Sequence, residues 1–482
     1  MNEMGAGTNK KAKDNTGNMP FSGYFKREVP QEDAEITHTD PGTPLGEYMR
    51  HFWQPVCMSE QLTDVPHAIR IMGEDLVAFR DKQGNIGVMA RHCSHRGASL
   101  EYGIVQDRGI RCCYHAFHYD VDGTIIAAPG EADNGERLRK VISQGAYPAF
   151  ERDGLVFAYM GPPDSQPEFP DYDAFETPGD TRLVPFTNEF PCNYLQVMDN
   201  IADQMHTSLL HNPTVLYDGK VPEDMQEKMA ALYLSPGFMA VPVMDYMEVR
   251  GGTGMVFLAA RRVSDDLVWI RINDLIVPNI SQHAYLFEDA TERRIFHRVH
   301  MSRWYVPVDD HNSIIFGWRM FGEDIDPLDM GREHRTGLNN IDFLDGQVGD
   351  RSYEDGQRFP GDWEAISSQR KIAVHANENP MASDVGVYMN RKLIREALRG
   401  KNPHATPEAM HERSQAGKTP YCYTQNDVLE IKRRPDDEED RQMMGQLARD
   451  IVGVTAEADE MEGEKRDSYI RDGIEKLEAN LQ

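Results

Sequence analysis

The sequence predicts an α+β protein built from two units, and three observations predict it. Short alternating apolar runs crowd the first third of the chain around two cysteine–histidine pairs, a proline-rich stretch closes that region, and longer helix-like and strand-like segments mix beyond it. At 482 residues the chain exceeds what one ordinary core fills and suffices for two domains with tails.

From Met1 to about Asp40, Gly, Asn, Lys, Asp and Thr dominate, so residues 1–40 are expected to be a flexible arm. Pro44 to Trp53 reads as a short amphipathic helix. Strand-like runs follow at Ala68 to Met72, Leu76 to Arg80 and Ile86 to Ala90, separated by turn signals at Gly73-Glu-Asp and Asp81-Lys-Gln-Gly. More are expected at Arg111 to Tyr114, Phe117 to Val121 and Leu155 to Tyr159, with Asp122-Gly123 as a hairpin turn. The run Gly161 to Pro170 is a natural boundary, which gives a small antiparallel β unit over 41–165. In the second unit, 166–433, a helix is expected from about Leu195 to Leu210 and strands at Gly254 to Arg262, Leu267 to Val277 and Ser313 to Trp318. Helices resume around Trp363 to Gln369 and Asp384 to Leu398. Residues 434–482 alternate charge with sparse apolar positions. Ile451, Tyr469, Ile470, Ile474 and Leu477 outline only a narrow stripe, so an acidic, partly helical and mostly solvated tail is expected. No internal repeat is visible.

With 79 acidic against 51 basic residues the formal charge is -28, which repels nucleic acid and anionic membranes. No apolar run approaches the roughly 20 residues that span a bilayer, and Met1 to Asn15 lacks a signal-peptide core, so the expected location is the cytoplasm. Cys57, Cys93, Cys112, Cys113, Cys192 and Cys422 are too few and too scattered for a disulfide framework. In a reducing compartment, clustered thiols point to metal.

Cys93-Ser-His95 and Cys112-Cys-Tyr-His115 put a cysteine and a histidine on each of two loops. Two thiolates and two imidazoles suit either tetrahedral zinc or a [2Fe–2S] cluster whose two histidines share one iron, and ligand count alone leaves both open. Farther on, Asp203, His206 and His211 form a D-x2-H-x4-H run. Asp203 and His206 share a helix face, whereas His211 lies about 140° further round, so both histidines reach one ion only if the helix ends or distorts between them. Asn212-Pro213 is a suitable ending. Two imidazoles then await one carboxylate, the set that leaves open positions on Fe(II) for O2 chemistry.

With their flanks, Arg96-Gly-Ala-Ser-Leu100 and Ala116-Phe-His-Tyr-Asp-Val-Asp-Gly123, the two loops resemble the C-x-H and C-x-x-H signature of a Rieske cluster domain. The later run resembles the catalytic segment of Rieske non-haem iron oxygenase alpha subunits, and more narrowly the phthalate dioxygenase-like branch, since Cys192 to Gln196 matches its C-N-[YW]-L-Q lead. Ser94 stands where the family often has proline, and Met198-Asp199-Asn200 where many relatives have Glu-Gly-Gly. The resemblance extends over most of the chain, including Pro41 to Glu47, Gly73 to Phe79, Ala260 to Arg262 and Val306 to Asp310.

What the resemblance implies is an antiparallel β Rieske [2Fe–2S] domain joined to a helix-grip (START/Bet v 1-like) catalytic domain with mononuclear Fe(II). It assigns Cys93, His95, Cys112 and His115 to the cluster, with Cys113 as the adjacent alternative. It assigns His206, His211 and Asp362 to the iron, with Asp362 found by counting back from Met381-Ala-Ser-Asp-Val. A helix N-cap role for Asp362, or Glu364 or Asp345 as ligand, stays open. Asp203 takes the family's bridging position, linking an iron-ligating histidine to a cluster histidine of the adjacent subunit in a head-to-tail homotrimer. The implied activity is that of a terminal oxygenase that hydroxylates or dihydroxylates an aromatic, carboxylated substrate. Its electrons come from NAD(P)H through a reductase, directly or through a ferredoxin. Aromatic O-demethylation in the same family, and a Rieske electron carrier without oxygenase activity, are the alternatives. Arg250, Arg262, Arg271 and Arg298 are candidate partners for a carboxylate, and Asn273, Met198 and Phe257 candidate pocket walls. Arg91, Arg96 and Arg111 flank the cluster loops as solvated charges or as docking points for an acidic electron donor.

Overall fold

The computed structural model describes residues 20–175, 179–221, 223, 226, 236–341, 346–415 and 420–482. Its first unit is made of three small antiparallel sheets. Strand β1 (Gln54–Met58) pairs with β11 (Leu155–Ala158), which pairs with β10 (Ala149–Arg152). Strands β2 (His67–Ile71), β3 (Glu74–Arg80), β4 (Ile86–Ala90) and β9 (Ala146–Tyr147) form the second. The third joins β5 (Ile104–Val105), β6 (Ile110–Arg111), β7 (His118–Tyr119) and β8 (Ile125–Ala127). The β2–β3 turn is the two-residue loop Met72-Gly73, both with positive φ (46° and 79°), the geometry whose twist suits a hairpin.

Period two explains how β3 joins this unit to the rest. Leu76 and Ala78 face the main core, while Val77 and Phe79 face a separate core under the metal loops, with Met89, Leu100, Ile110 and Tyr119. The strands expected at Arg111 to Tyr114 and Phe117 to Val121 shrink to two residues each, because the chain turns from Cys112 to Ala116 to form a loop.

The second unit is a twisted antiparallel sheet of β12 (Arg182–Phe190), β13 (Val243–Val249), β14 (Gly254–Arg262), β15 (Leu267–Ile276), β16 (Ile280–Ala284), β17 (Arg294–Asp309), β18 (Asn312–Phe321) and β19 (Gln425–Glu430), in the order β12-β18-β17-β16-β15-β14-β13. Strands β16 and β19 lie end to end in one gap. β15 pairs with β16 over Asp274–Ile276 and with β19 over Leu267–Ile272, and β17 takes the same two partners.

The sheet is covered on both faces. Met255 and Phe257 of β14 enter the main core, near helices α1 (Tyr194–Ala202) and α2 (Val385–Leu398). Val256, Leu258 and Ala260, on the opposite face, meet a C-terminal hairpin of α3 (Asp437–Glu457) and α4 (Gly463–Leu481). The expected solvated tail is therefore corrected. Met444, Leu447, Ile451, Ile470 and Ile474 are buried, and a narrow stripe is enough when a helix docks by one side only. Three ion pairs, Arg262–Asp440, Arg293–Glu478 and Arg466–Asp173, tie the hairpin down; the first and third are buried, and in the second only Glu478 is.

The expected arm is corrected at its inner end. Ala34–Thr37 form a helical turn, Ile36 and Thr39 are fully buried, and Asn193 and Tyr194 donate hydrogen bonds to the carbonyls of Thr37 (2.7 Å) and Ile36 (3.1 Å).

Candidate functional site

The two cysteine–histidine loops are built alike. In each, the residue four after the cysteine donates its N–H to the cysteine carbonyl, Gly97 to Cys93 (2.8 Å) and Ala116 to Cys112 (3.1 Å). That residue has positive φ in both, 74° at Gly97 and 60° at Ala116. The cysteine N–H in turn bonds to the carbonyl one residue further, Ala98 or Phe117. This turn folds each loop so that cysteine and histidine project to the same end. The His95 and His115 rings lie 4.6 Å apart, and His95 stacks on Phe117 at 4.7 Å. Cys93 and Cys112 are buried and Cys113 is exposed, which turns Cys112 rather than its neighbour toward Cys93. Burial pushes the Cys112 thiol up, against which the N–H groups of Tyr114 and, more weakly, His115 act. Backbone donors aimed at sulfur are what a cluster thiolate uses. Ser94 ties its loop where a proline would have stiffened it: its N–H donates to Gln144 Oε1 (2.7 Å), and its hydroxyl bonds to that of Tyr119 (3.0 Å), which also contacts Cys93 Sγ (3.1 Å). Arg91 pairs with Asp75, whereas Arg96 lies over the exposed Tyr114.

The histidine run is not one helix. Helix α1 stops at Ala202, Asp203 is extended (φ −87°, ψ 99°), and a short helix runs over Gln204–Leu209. Asp203 Oδ1 caps that helix, accepting from the N–H groups of Met205 (2.9 Å) and His206 (3.3 Å). Its carbonyl accepts the Nδ1–H of His206, which fixes the tautomer and leaves the Nε2 lone pair free. Among the described residues Asp203 Oδ2 accepts no hydrogen bond. The helix ends between His206 and His211, as the spacing requires, and the two rings stand 5.7 Å apart.

Asp362, the first residue of the helix Asp362–Ser367, meets them. His206 Nε2 lies 3.5 Å from Oδ1 and His211 Nε2 3.4 Å from Oδ2. All three ligand atoms fall within 4.8 Å of one another, close enough that small side-chain shifts bring each to about 2.1 Å from one ion. Burial would raise the Asp362 carboxyl, but His211 and His206 outweigh it and hold the group far below its ordinary range. The same contact lifts His211 against its own burial. Two imidazoles and one anionic carboxylate fit a divalent iron. Capping at this helix is done by Glu364, which accepts from Gly361 N–H and pairs with Arg351, so Glu364 faces away from the triad; Asp345 lies outside the described residues.

A cavity opens onto the triad, with Ile201, Phe238, Phe257 and Met301 as apolar walls and Arg271, Arg303, Arg319, His283 and His300 as polar ones. Of the four arginines singled out in the sequence, only Arg271 lines it. Arg250, Arg262 and Arg298 are neutralised by Asp274, Asp440 and Asp173. Asn273 and Met198 are core residues: Asn273 Oδ1 accepts from Ala284 N–H (2.9 Å). Arg271 donates to the Ala284 carbonyl (3.1 Å), its Nε has no partner among the described residues, and burial with Arg261 and Arg303 nearby disfavours its charge. Asp362 is the one carboxylate among the cavity's described lining residues. His283 is held neutral by burial and by Arg303 and Arg271, with Nε2 bonded to Ser281 Oγ (2.8 Å), itself bonded to Tyr305 Oη (2.6 Å). Arg303, Arg319 and His283 were missed in the sequence. No alternation marks them: two residues to either side of Arg303 stand Met301 and Tyr305, and of Arg319 Gly317 and Phe321, so a lone polar residue inside a strand buried on both faces is their one signal.

Comparison with known proteins matches residues 52–143 to the Rieske [2Fe-2S] domain. The chain is 48% identical to the tert-butanol monooxygenase / tert-amyl alcohol desaturase oxygenase subunit of Aquincola tertiaricarbonis, over 96% of this chain and 97% of that one. It is 32% identical to the phenoxybenzoate dioxygenase subunit alpha of Ectopseudomonas oleovorans, over 79% and 88%. Among solved structures, dicamba monooxygenase bound to dicamba shares the fold, with a TM-score of 0.54 at 18% identity, over 73% of this chain and 98% of that one. Among the described residues no helix is long and apolar enough to cross a membrane.

Proposed function

Because the chain belongs to the Rieske non-haem iron oxygenases, as an oxygenase subunit, we propose that it oxidises an aromatic, carboxylated substrate with O2. Its electrons would come from NAD(P)H through a separate reductase, directly or through a ferredoxin. The family's two cofactors, a [2Fe–2S] cluster and a mononuclear iron, supply single-electron transfer and O2 activation when bound. Cys93, His95, Cys112 and His115 would hold the cluster. His206, His211 and Asp362 would hold the iron. In a head-to-tail homotrimer the uncommitted Oδ2 of Asp203 would accept a hydrogen bond from a cluster histidine of the next subunit, while the residue's carbonyl orients His206.

The observation that carries the substrate reading is the charge of the cavity. Arg271 and Arg303 are buried in its wall, and the triad's Asp362 is the one carboxylate among its described lining residues, so an entering carboxylate gains charge-assisted hydrogen bonds that water no longer supplies. Phe257 and Ile201 would pack on a ring and keep water from the reacting face. A second reading, oxidation of a small tertiary alcohol, is favoured by the 48% identity to the tert-butanol enzyme. Incubation with a surrogate reductase, labelled O2 and either aromatic acids or tert-butanol separates the two. Ring dihydroxylation puts both labelled atoms in a cis-diol, O-demethylation releases formaldehyde, and turnover of tert-butanol with none of the acids sinks the carboxylate reading. Arg271→Met should raise the KM for a productive acid about 10- to 100-fold, the loss of one charged hydrogen bond.

A further inference from the structure

Four nitrogens converge on the two oxygens of Asp362, and two of them are amide donors rather than imidazoles. Oδ1 faces His206 Nε2 and Asn200 Nδ2 (3.4 Å), whereas Oδ2 faces His211 Nε2 and Gln347 Nε2 (2.5 Å). A carboxylate has about four acceptor directions. The amides take one on each oxygen, on the sides the histidines leave.

Gln347 is placed there by backbone rather than by chance of rotamer. Its carbonyl accepts from Asn188 Nδ2 (2.5 Å), and the carbonyl of Gly346 accepts from Trp363 N–H (2.9 Å), one residue past Asp362. Gly346 and Gly361 pack chain against chain. A Cβ on Gly361 would lie 2.6 Å from the Gly346 oxygen and 2.7 Å from its Cα, and Gly346 itself has φ +82°. Only two glycines permit this approach, and it sets Gln347 beside Asp362 although the two are 15 residues apart.

We propose that Gln347 is a positioning residue for the mononuclear iron. Its amide N–H holds the Asp362 carboxylate in the orientation that faces both histidines, Asn200 steadies the other oxygen more weakly, and the Gly346–Gly361 contact aims the clamp. The inference rests on Asp362 as the third ligand. A polar group that orients a metal ligand is worth about 10- to 100-fold in metal affinity, and a long hydrogen bond such as that from Asn200 about 2- to 10-fold.

The test is anaerobic calorimetric titration of Fe(II) into full-length protein that carries its cluster but has been stripped of mononuclear iron, with the unfolding temperature of the stripped protein as a second readout. Gln347→Met keeps the volume and removes the donor. It should weaken Fe(II) binding about 10- to 100-fold while the stripped protein melts as the parent does. Asn200→Ala should weaken binding less, and decides the matter if Gln347→Met does not fold. Asp362→Asn is the control for the underlying reading and should abolish binding. If Asp362→Asn binds Fe(II) as the parent does, the ligand assignment is wrong. If it loses iron while Gln347→Met and Asn200→Ala keep the parent affinity, the clamp is wrong. A fall in melting temperature with unchanged affinity would make Gln347 merely structural and overturn the proposal.

Discussion

Replacing Asp203 by asparagine separates the jobs that this residue does. Its carbonyl orients His206, its Oδ1 caps the helix Gln204–Leu209, and its Oδ2 is left for the proposed bridge to a neighbouring subunit. Asparagine has the same carbonyl and caps about as well as aspartate, so Asp203→Asn should keep its helix to within a few tenths of a kcal/mol, and both metals with it. Alanine removes the cap and should cost about 1 kcal/mol. What asparagine lacks is the charge and one acceptor oxygen, and losing such a contact costs about 10- to 100-fold. The expected result is an iron-replete, cluster-replete Asp203→Asn protein that melts near the parent temperature and forms product about 10- to 100-fold more slowly. Iron and sulfide analysis, thermal melts and product yield per NADH consumed measure the three parts. Parental turnover in a fully metallated Asp203→Asn protein would refute the bridge, and equal melting losses in the asparagine and alanine variants would refute the cap.

Cys112→Ser should abolish the cluster's visible absorption and reduced-state paramagnetic signal, and Cys113→Ser should keep both; the opposite pattern would shift the ligand register by one. Burial pushes the Asp427 carboxyl from 3.8 up to about 7, only partly countered by the Phe296 amide and Gln425. The folded state thus holds a proton that the unfolded chain releases, and stability is lost as pH rises from about 4 to 7, by on the order of 4 kcal/mol. The difference in melting temperature between Asp427→Asn and the parent should therefore grow in the variant's favour across that window and flatten above it, and a pH-independent difference counts against the assignment. Ile474→Ala in the C-terminal hairpin should cost about 2 to 5 kcal/mol in chemical denaturation, where a solvated tail would register nothing.

Strands were legible where one period governed them. Gly254 to Arg262 and Leu267 to Val277 lie within a residue of β14 and β15, and the helix from Asp384 within one of α2. The spacing of His206 and His211 also demanded a helix end between them, which the chain supplies at Leu209. Two kinds of information were hidden. Local conformation at Asp203 was one, because its apolar neighbours keep a helical period straight through the break. Register was the other: whether Arg271, Arg303 or His283 faces a cavity depends on which side of a doubly buried strand each occupies, and composition does not carry that. Asp362 came from a resemblance, since no periodicity links it to histidines more than 150 residues earlier. The C-terminal helices were underestimated because charged residues of both signs outnumber the narrow apolar stripe by which they dock.

Strand β19 fills half of the gap between β15 and β17, yet its residues, 425–430, come more than 110 positions after β17 ends. During synthesis the ribosome must therefore deliver nearly the entire polypeptide before the middle of this sheet can be hydrogen-bonded. Until then, the edges of β15 and β17 beside Leu267 and Arg294 are open to any extended segment nearby. Such distant pairings make for slow maturation and vulnerable intermediates, so heterologous production of this enzyme should benefit from low temperature and from chaperones that shield nascent chains.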